Sequence, residues 1–165
     1  MKYKNFILDI DGVLTDGKMI YSNKGKMLKT FGADDSDALK FLSEHLNISF
    51  ITSDKRGFPI SKKRISDMKF KVKLLHTKDR LTWIEKNFDL KKTIFMGDGI
   101  FDHIIMKKVG YAITVKNALQ HVRKNANYIT LCDGSDRAVA EASIHIAEKF
   151  LKIDFENIKE LNFLN

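Results

Sequence analysis

The chain has 165 residues, of which 44% are hydrophobic and 30% charged, with a formal net charge of +8 and a single cysteine, Cys132. That length suits one domain whose core needs no staples, and one cysteine excludes an intrachain disulfide and fits a reducing, cytoplasmic setting. No apolar run approaches the ~18 residues of a bilayer span, and the lysines are scattered without the basic run or aromatic platform of a nucleic-acid binder.

Met1–Asn5 leads straight into an apolar stretch, so no signal peptide is expected before the first strand, about Lys4 to Ile10. A hairpin follows at about 18–31, with Lys18–Tyr21 and Met27–Phe31 as arms and Gly25 in the turn. Asp34-Asp35-Ser36 offers helix-capping chemistry before Ala38, Leu39, Phe41, Leu42 and Leu46, which recur near a 3.6-residue period. Ile48–Ile51 reads as a core strand, Gly57 and Pro59 as a break, and Ile60–Met68 as a basic helix. Val72–Leu75 is a short strand, and the run through Leu81, Trp83, Ile84 and Phe88 a helix. Thr93–Met96 is a buried strand, with Asp102, Ile105 and Met106 on the helix after it. Tyr111–Val115, His121–Ala126 and Tyr128–Leu131 continue the alternation, Ala138–Leu151 forms a C-terminal helix, and an apolar tail covers about 152–165. Strands alternating with helices indicate a single α/β domain, a doubly wound parallel sheet with helices on both faces and a projecting β-hairpin.

Three core strands end in polar clusters: Asp9 and Asp11, Thr52 and Ser53, and Asp98 followed by Asp102, with Lys78 opening a helix between the last two. In an open parallel sheet such ends face one crevice. Carboxylates crowded there favour an oxygen-ligated cation, and Mg²⁺ bound by Asp9 and Asp98 is the expectation. Thr52 and Ser53 can donate to a transferring phosphoryl group, and Lys78 can stabilise its oxygens. Arg80 is the rival for the last role, because the spacing to the next strand is loose.

These residues resemble the four motifs of the haloacid dehalogenase superfamily: Asp9-Ile10-Asp11-Gly12-Val13-Leu14-Thr15-Asp16, Thr52, Lys78, and Gly97-Asp98-Gly99-Ile100-Phe101-Asp102. The resemblance implies that Asp9 is a nucleophile forming an aspartyl-phosphate and that Asp11 is the acid and base. It also implies that Asp9, Asp98 and the Asp11 backbone carbonyl hold Mg²⁺, with Asp102 supporting the metal shell from behind. Neither gap where this superfamily inserts a cap is long enough for one: only the hairpin follows the first motif, and about twenty-five residues separate Thr52 from Lys78.

The chain is therefore similar to the capless branch that includes 3-deoxy-manno-octulosonate 8-phosphate phosphatases and nonulosonate 9-phosphate phosphatases. Shared segments include Thr15-Asp16-Gly17, Lys29-Thr30-Phe31, Lys63-Arg64 and Ala126-Asn127-Tyr128-Ile129-Thr130. The resemblance implies a homotetramer in which the hairpins assemble and neighbouring subunits close each site. It points to a phosphorylated sugar-acid substrate, with Ser53, Lys63, Arg64 and Arg137 as substrate contacts, and to no nucleic-acid or membrane partner. The other reading is a non-catalytic oligomerisation module like those fused to sugar-acid cytidylyltransferases; the presence of Asp11 weighs against it. This chain departs from the branch in having Thr52-Ser53-Asp54 for Thr-Gly-Arg, Gly97-Asp98-Gly99 for Gly-Asp-Asp, Ala140 where arginine is expected, and Asp34 for a frequent basic residue. Arg137 is the candidate to replace the arginine absent at Ala140.

Overall fold

The computed structural model describes residues 2–158. Eight strands and six α-helices occur in the order β1 (Asn5–Asp9), β2 (Ile20–Ser22), β3 (Gly25–Leu28), α1 (Asp35–Ser43), β4 (Asn47–Thr52), α2 (Phe58–Asp67), β5 (Val72–Leu74), α3 (Arg80–Asn87), β6 (Thr93–Met96), α4 (His103–Met106), β7 (Tyr111–Thr114), α5 (Gln120–Arg123), β8 (Tyr128–Ile129) and α6 (Ala138–Ile146). Six strands make one parallel sheet in the order β5-β4-β1-β6-β7-β8. The chain first winds outward from β1 through β4 to β5, then returns to the other side of β1 and winds through β6 to β8. Right-handed crossovers in opposite directions place helices on opposite faces. Accordingly α1 packs on α6, and α3 packs on α4.

The central strands are apolar on both faces, as a sheet covered on both sides requires. Phe6, Ile7, Leu8, Phe50, Ile51, Ile94, Phe95, Met96, Ala112 and Ile113 are all buried. The direction of winding reverses at β1, so the carboxyl ends of β1, β4 and β6 border the crevice expected of such a reversal.

Several elements differ from the sequence expectation. Pro59 does not break the chain ahead of α2; it sits within the first helical turn, where its missing N–H costs nothing, and Gly57 is the N-cap. The C-terminal helix is α-helical only to Ile146 and continues to Leu151 as a π-helical segment, stopped by Lys152 in a left-handed conformation. The hairpin forms a separate two-stranded ribbon, shorter than its apolar run, with an isolated bridge between Thr15 and Phe31 at its root. Of the tail, Phe155 packs edge-on against Phe41 at 5.1 Å. Leu161, Phe163 and Leu164 lie outside the described residues.

One cap is supplied across the fold. The N-cap position of α6 is Arg137, left-handed at φ 67° and without a side-chain bond to the helix. Asp35 of α1 does the work instead, its Oδ1 accepting from Ala140 N at 2.9 Å. Burial pushes this carboxyl up to about 6, Asp34 adding to the effect while the Ala140 N–H and Arg64 oppose it. An acid whose folded pKa lies above its unfolded value retains a proton that the unfolded chain has lost. Stability should therefore fall as pH rises from about 4 to about 6 and stay level above that, as far as Asp35 contributes. Asp35→Asn preserves an acceptor for Ala140, and urea titrations across pH should show that this component of the slope has disappeared.

Candidate active site

At the end of β1 the chain turns back at once. Val13, Leu14 and Thr15 all donate their N–H to the Ile10 carbonyl, and Thr15 Oγ1 accepts from Gly12 N and Gly17 N. Gly12 adopts φ +94°, and a Cβ there would lie 2.0 Å from Asp98 Oδ2. Only glycine permits this approach between the β1 turn and the loop after β6.

The turn places Asp9, buried, with Oδ1 accepting from Ile10 N at 2.8 Å. One carboxylate oxygen each from Asp9, Asp98 and Asp102 lie within 4.8 Å of one another. Asp102 Oδ2 also accepts from Gly99 N at 2.9 Å, closing the loop on itself. Asp98 is pushed up to about 8 by burial and by its neighbours Asp9 and Asp102. Burial likewise raises Asp9 and Asp102, and Arg80 opposes it in both. Asp98 Oδ1 is buried without a partner. Crowded carboxylates with an orphaned oxygen and no sulfur or imidazole among the ligands fit a hard divalent cation.

Arg80, the first residue of α3, faces this cluster. Its Nη2 lies 2.9 Å from Asp9 Oδ2 and its Nη1 2.9 Å from Asp102 Oδ1. Lys78 does not reach it. Thr77–Asp79 forms a 3₁₀ turn ahead of α3, which leaves Lys78 exposed on an adjoining apolar cavity also lined by Leu81, Ile104 and Ile105. Of the two rivals, the structure brings Arg80 to the carboxylates.

Asp11 finds its partners outside the cluster of three. Its Oδ2 accepts from Thr52 Oγ1 at 2.9 Å, and its Oδ1 accepts from Lys29 Nζ. Thr52 is buried at the end of β4 and spends its hydroxyl proton on Asp11. Ser53 lines the same cleft, with its hydroxyl buried and unpartnered. The cleft measures about 290 Å³, and Asp9, Asp11, Lys26, Asp54 and Arg80 line it together with the apolar walls Met19, Ile100 and Phe101.

Three expected substrate contacts lie elsewhere in this chain. Lys63 is exposed and pairs with Asp67 one helical turn on. Arg64 donates to the Gly32 carbonyl at 3.1 Å. Arg137 is exposed and pairs with Asp34 at 2.6 Å. Lys26 and Lys29 of the hairpin, to which sequence reading assigns no role at the site, reach Asp54 and Asp11. The signal available was Asp54 itself: an acid beside a phosphate site calls for counter-charge.

A family model described as haloacid dehalogenase-like hydrolase matches residues 80–142, the segment that contains Arg80, Asp98 and Asp102. The 3-deoxy-D-manno-octulosonate 8-phosphate phosphatase of Haemophilus influenzae is 29% identical over 148 residues, covering 85% of this chain and 80% of that protein. The chain is thus similar to proteins of the haloacid dehalogenase superfamily in sequence and in fold. Its fold matches the structure of a putative 3-deoxy-D-manno-octulosonate 8-phosphate phosphatase from Vibrio cholerae with a TM-score of 0.83, at 26% identity over 93% of this chain and 88% of that one. The Moraxella catarrhalis phosphatase, solved with magnesium, phosphate and KDO, matches with a TM-score of 0.80 at 26% identity, over 89% and 87% of the two chains. These likenesses agree with the capless haloacid dehalogenase fold and with a divalent-metal hydrolase. Among the described residues, no helix is long and apolar enough to cross a membrane.

The two rivals for the third motif can be separated without any substrate. Arg80→Ala leaves Asp9 and Asp102 buried beside each other without their cation. In metal-free buffer it should lower unfolding free energy by roughly 3 kcal/mol or more. Lys78→Ala should stay within about 0.5 kcal/mol of wild type, as surface substitutions do. Guanidinium titrations of both variants measure the difference.

Proposed function

We propose that this chain is a Mg²⁺-dependent phosphatase for a small phosphorylated sugar acid, of the octulosonate 8-phosphate or nonulosonate 9-phosphate class. The observation that carries the reading is the split between the two carboxylates of the first motif. Asp9 is gathered with Asp98 and Asp102 where a cation would sit, while Asp11, two residues on, faces hydroxyl and ammonium donors across the same cleft. Such a division suits one group to attack on phosphorus and the other to proton transfer, which supports the reading.

Asp9 displaces the sugar alkoxide and forms an aspartyl-phosphate. Asp11 gives its proton to the leaving oxygen, then takes one from the water that hydrolyses the acyl phosphate. Arg80 and the Ser53 hydroxyl are the donors on hand for the phosphoryl oxygens. Mg²⁺ held by Asp9, Asp98 and the Asp11 carbonyl, with Asp102 behind, would neutralise charge on those oxygens. Relatives of the chain are named as 3-deoxy-D-manno-octulosonate 8-phosphate phosphatases, which supports a sugar acid over other phosphate esters. A non-catalytic module would have no use for an acid–base carboxylate held on both oxygens.

A screen of phosphorylated sugar acids with Mg²⁺ tests the reading. Asp9→Asn should lower turnover of the best substrate by roughly three or more orders of magnitude, the scale of lost nucleophiles. Excess chelator should abolish activity, and added Mg²⁺ should restore it. A variant that keeps a tenth of the wild-type rate would mean that Asp9 is not the nucleophile.

The assembly belongs to the same proposal: a cytoplasmic homotetramer built on the hairpins. Met19, Ile20, Tyr21, Met27 and Leu28 are each at least half exposed on a ribbon that does not join the main sheet. A two-stranded ribbon is marginal by itself, and a cluster of large apolar side chains on it calls for a cover. Ile100 and Phe101 are also half exposed at the mouth of the cleft, where water exclusion would serve the chemistry. Light scattering at micromolar concentration should give four times the chain mass; a fully active monomer would sink the shared-site arrangement.

A further inference from the structure

We propose that Lys29 and Asp54 are positioning residues that lock Asp11 in a closed ring of hydrogen bonds and ion pairs, and that they act on leaving-group protonation and not on substrate binding. The inference rests on the phosphatase reading above and goes beyond the four motifs. Around the ring, Thr52 Oγ1 donates to Asp11 Oδ2 at 2.9 Å and accepts from Asp54 N at 3.0 Å. Asp54 Oδ2 lies 2.7 Å from Lys29 Nζ, and Lys29 Nζ returns to Asp11 Oδ1 at 2.5 Å. Asp54 therefore serves through both its backbone and its side chain, and both oxygens of Asp11 are held.

Lys29 has nothing left to offer a substrate. An ammonium has three donors, and here they meet Asp11, Asp54 and Ser61 Oγ, the last at 2.8 Å. Its side chain is 1% exposed. Asp54 is fixed from two further directions: Oδ1 accepts from Gly57 N at 3.0 Å, and Lys26 Nζ pairs with Oδ2. Burial pushes the Asp54 carboxyl up, but its bonds from Lys26, Lys29 and Gly57 prevail and bring it down to about 2, so it is an ionised anchor throughout the working range.

In the first half-reaction the Asp11 proton goes to the leaving alkoxide and Asp11 becomes a carboxylate, with Lys29 keeping all its protons. In the second, Asp11 recovers a proton from water as the aspartyl-phosphate breaks. The ring fixes the carboxylate plane for both transfers and compensates the charge that appears on Asp11 in the first.

The closing experiment uses leaving groups of different basicity. An alkyl phosphate needs a proton at its departing oxygen, whereas p-nitrophenyl phosphate does not. Lys29→Met should lower kcat for the alkyl ester by on the order of 100-fold, the lower range of general-acid contributions. The loss on p-nitrophenyl phosphate should be at least tenfold smaller, with KM changing little for either. Asp54→Asn should move the same ratio in the same direction and decides the matter if Lys29→Met fails to fold. Equal losses on both esters, or a change confined to KM, would overturn the proposal. A second readout needs no turnover: ¹⁵N-detected spectra of the full-length protein should show a slowly exchanging Lys29 ammonium that Asp54→Asn exposes to solvent. Exchange in the wild type as fast as for surface lysines would refute the ring. If the wild type cleaves neither ester, the phosphatase reading falls and the ammonium signal alone judges the ring.

Discussion

The ion pairs that Arg80 makes with Asp9 and Asp102 are the constraint on which the site depends. The fold drives three carboxylates to one sheet edge, where burial opposes their ionisation. Arg80 is itself buried, so its charge and the acids' charges would each be costly there without the other. The guanidinium spans two acids that come from β1 and from the loop after β6, which ties the halves of the sheet together across the winding reversal. Its planar fork suits two partners at once, which a lysine ammonium would meet less rigidly.

Charge at the cleft is distributed in two separate compartments. Arg80 serves Asp9 and Asp102, while Lys26 and Lys29 serve Asp54 and Asp11. Counting Asp98, five carboxyl groups face these three cations, an excess of acids that a bound divalent ion would offset. The overall +8 charge is thus a poor guide to the site. Most lysines are solvated, and those that matter are the few that the fold has buried.

Much of this was legible in the sequence, since it rested on strand ends. Apolar runs closing at Asp9, Thr52 and Asp98 could only be strands whose last residues meet at one edge. The choice between Lys78 and Arg80 was not legible, because a single 3₁₀ turn at Thr77–Asp79 decides which residue opens the helix facing the site, and local composition does not distinguish the two. The reach of Lys26 and Lys29 was hidden for a different reason. It depends on how the hairpin lies against α2, a contact far apart in sequence that no periodicity reports. Sequence position suggests that Asp35 caps its own helix, whereas its carboxylate caps α6, more than a hundred positions away.

The hairpin's attachment bears on the order in which the chain acquires structure. Its ribbon leaves the sheet early in the sequence, yet the groups that hold its root, Asp54, Gly57 and Ser61, lie in a later segment. A short ribbon has little stability before those partners exist. Its anchoring therefore requires β4 and the start of α2 to be in place, although it precedes both in the chain. The Lys26–Asp54 and Lys29–Ser61 contacts span 28 and 32 positions, a much shorter reach than the pairing of β1 with β6. Without those contacts Asp11 lacks the partner on one of its two oxygens, so competence at the site depends on the hairpin's anchoring as well as on the sheet that carries it.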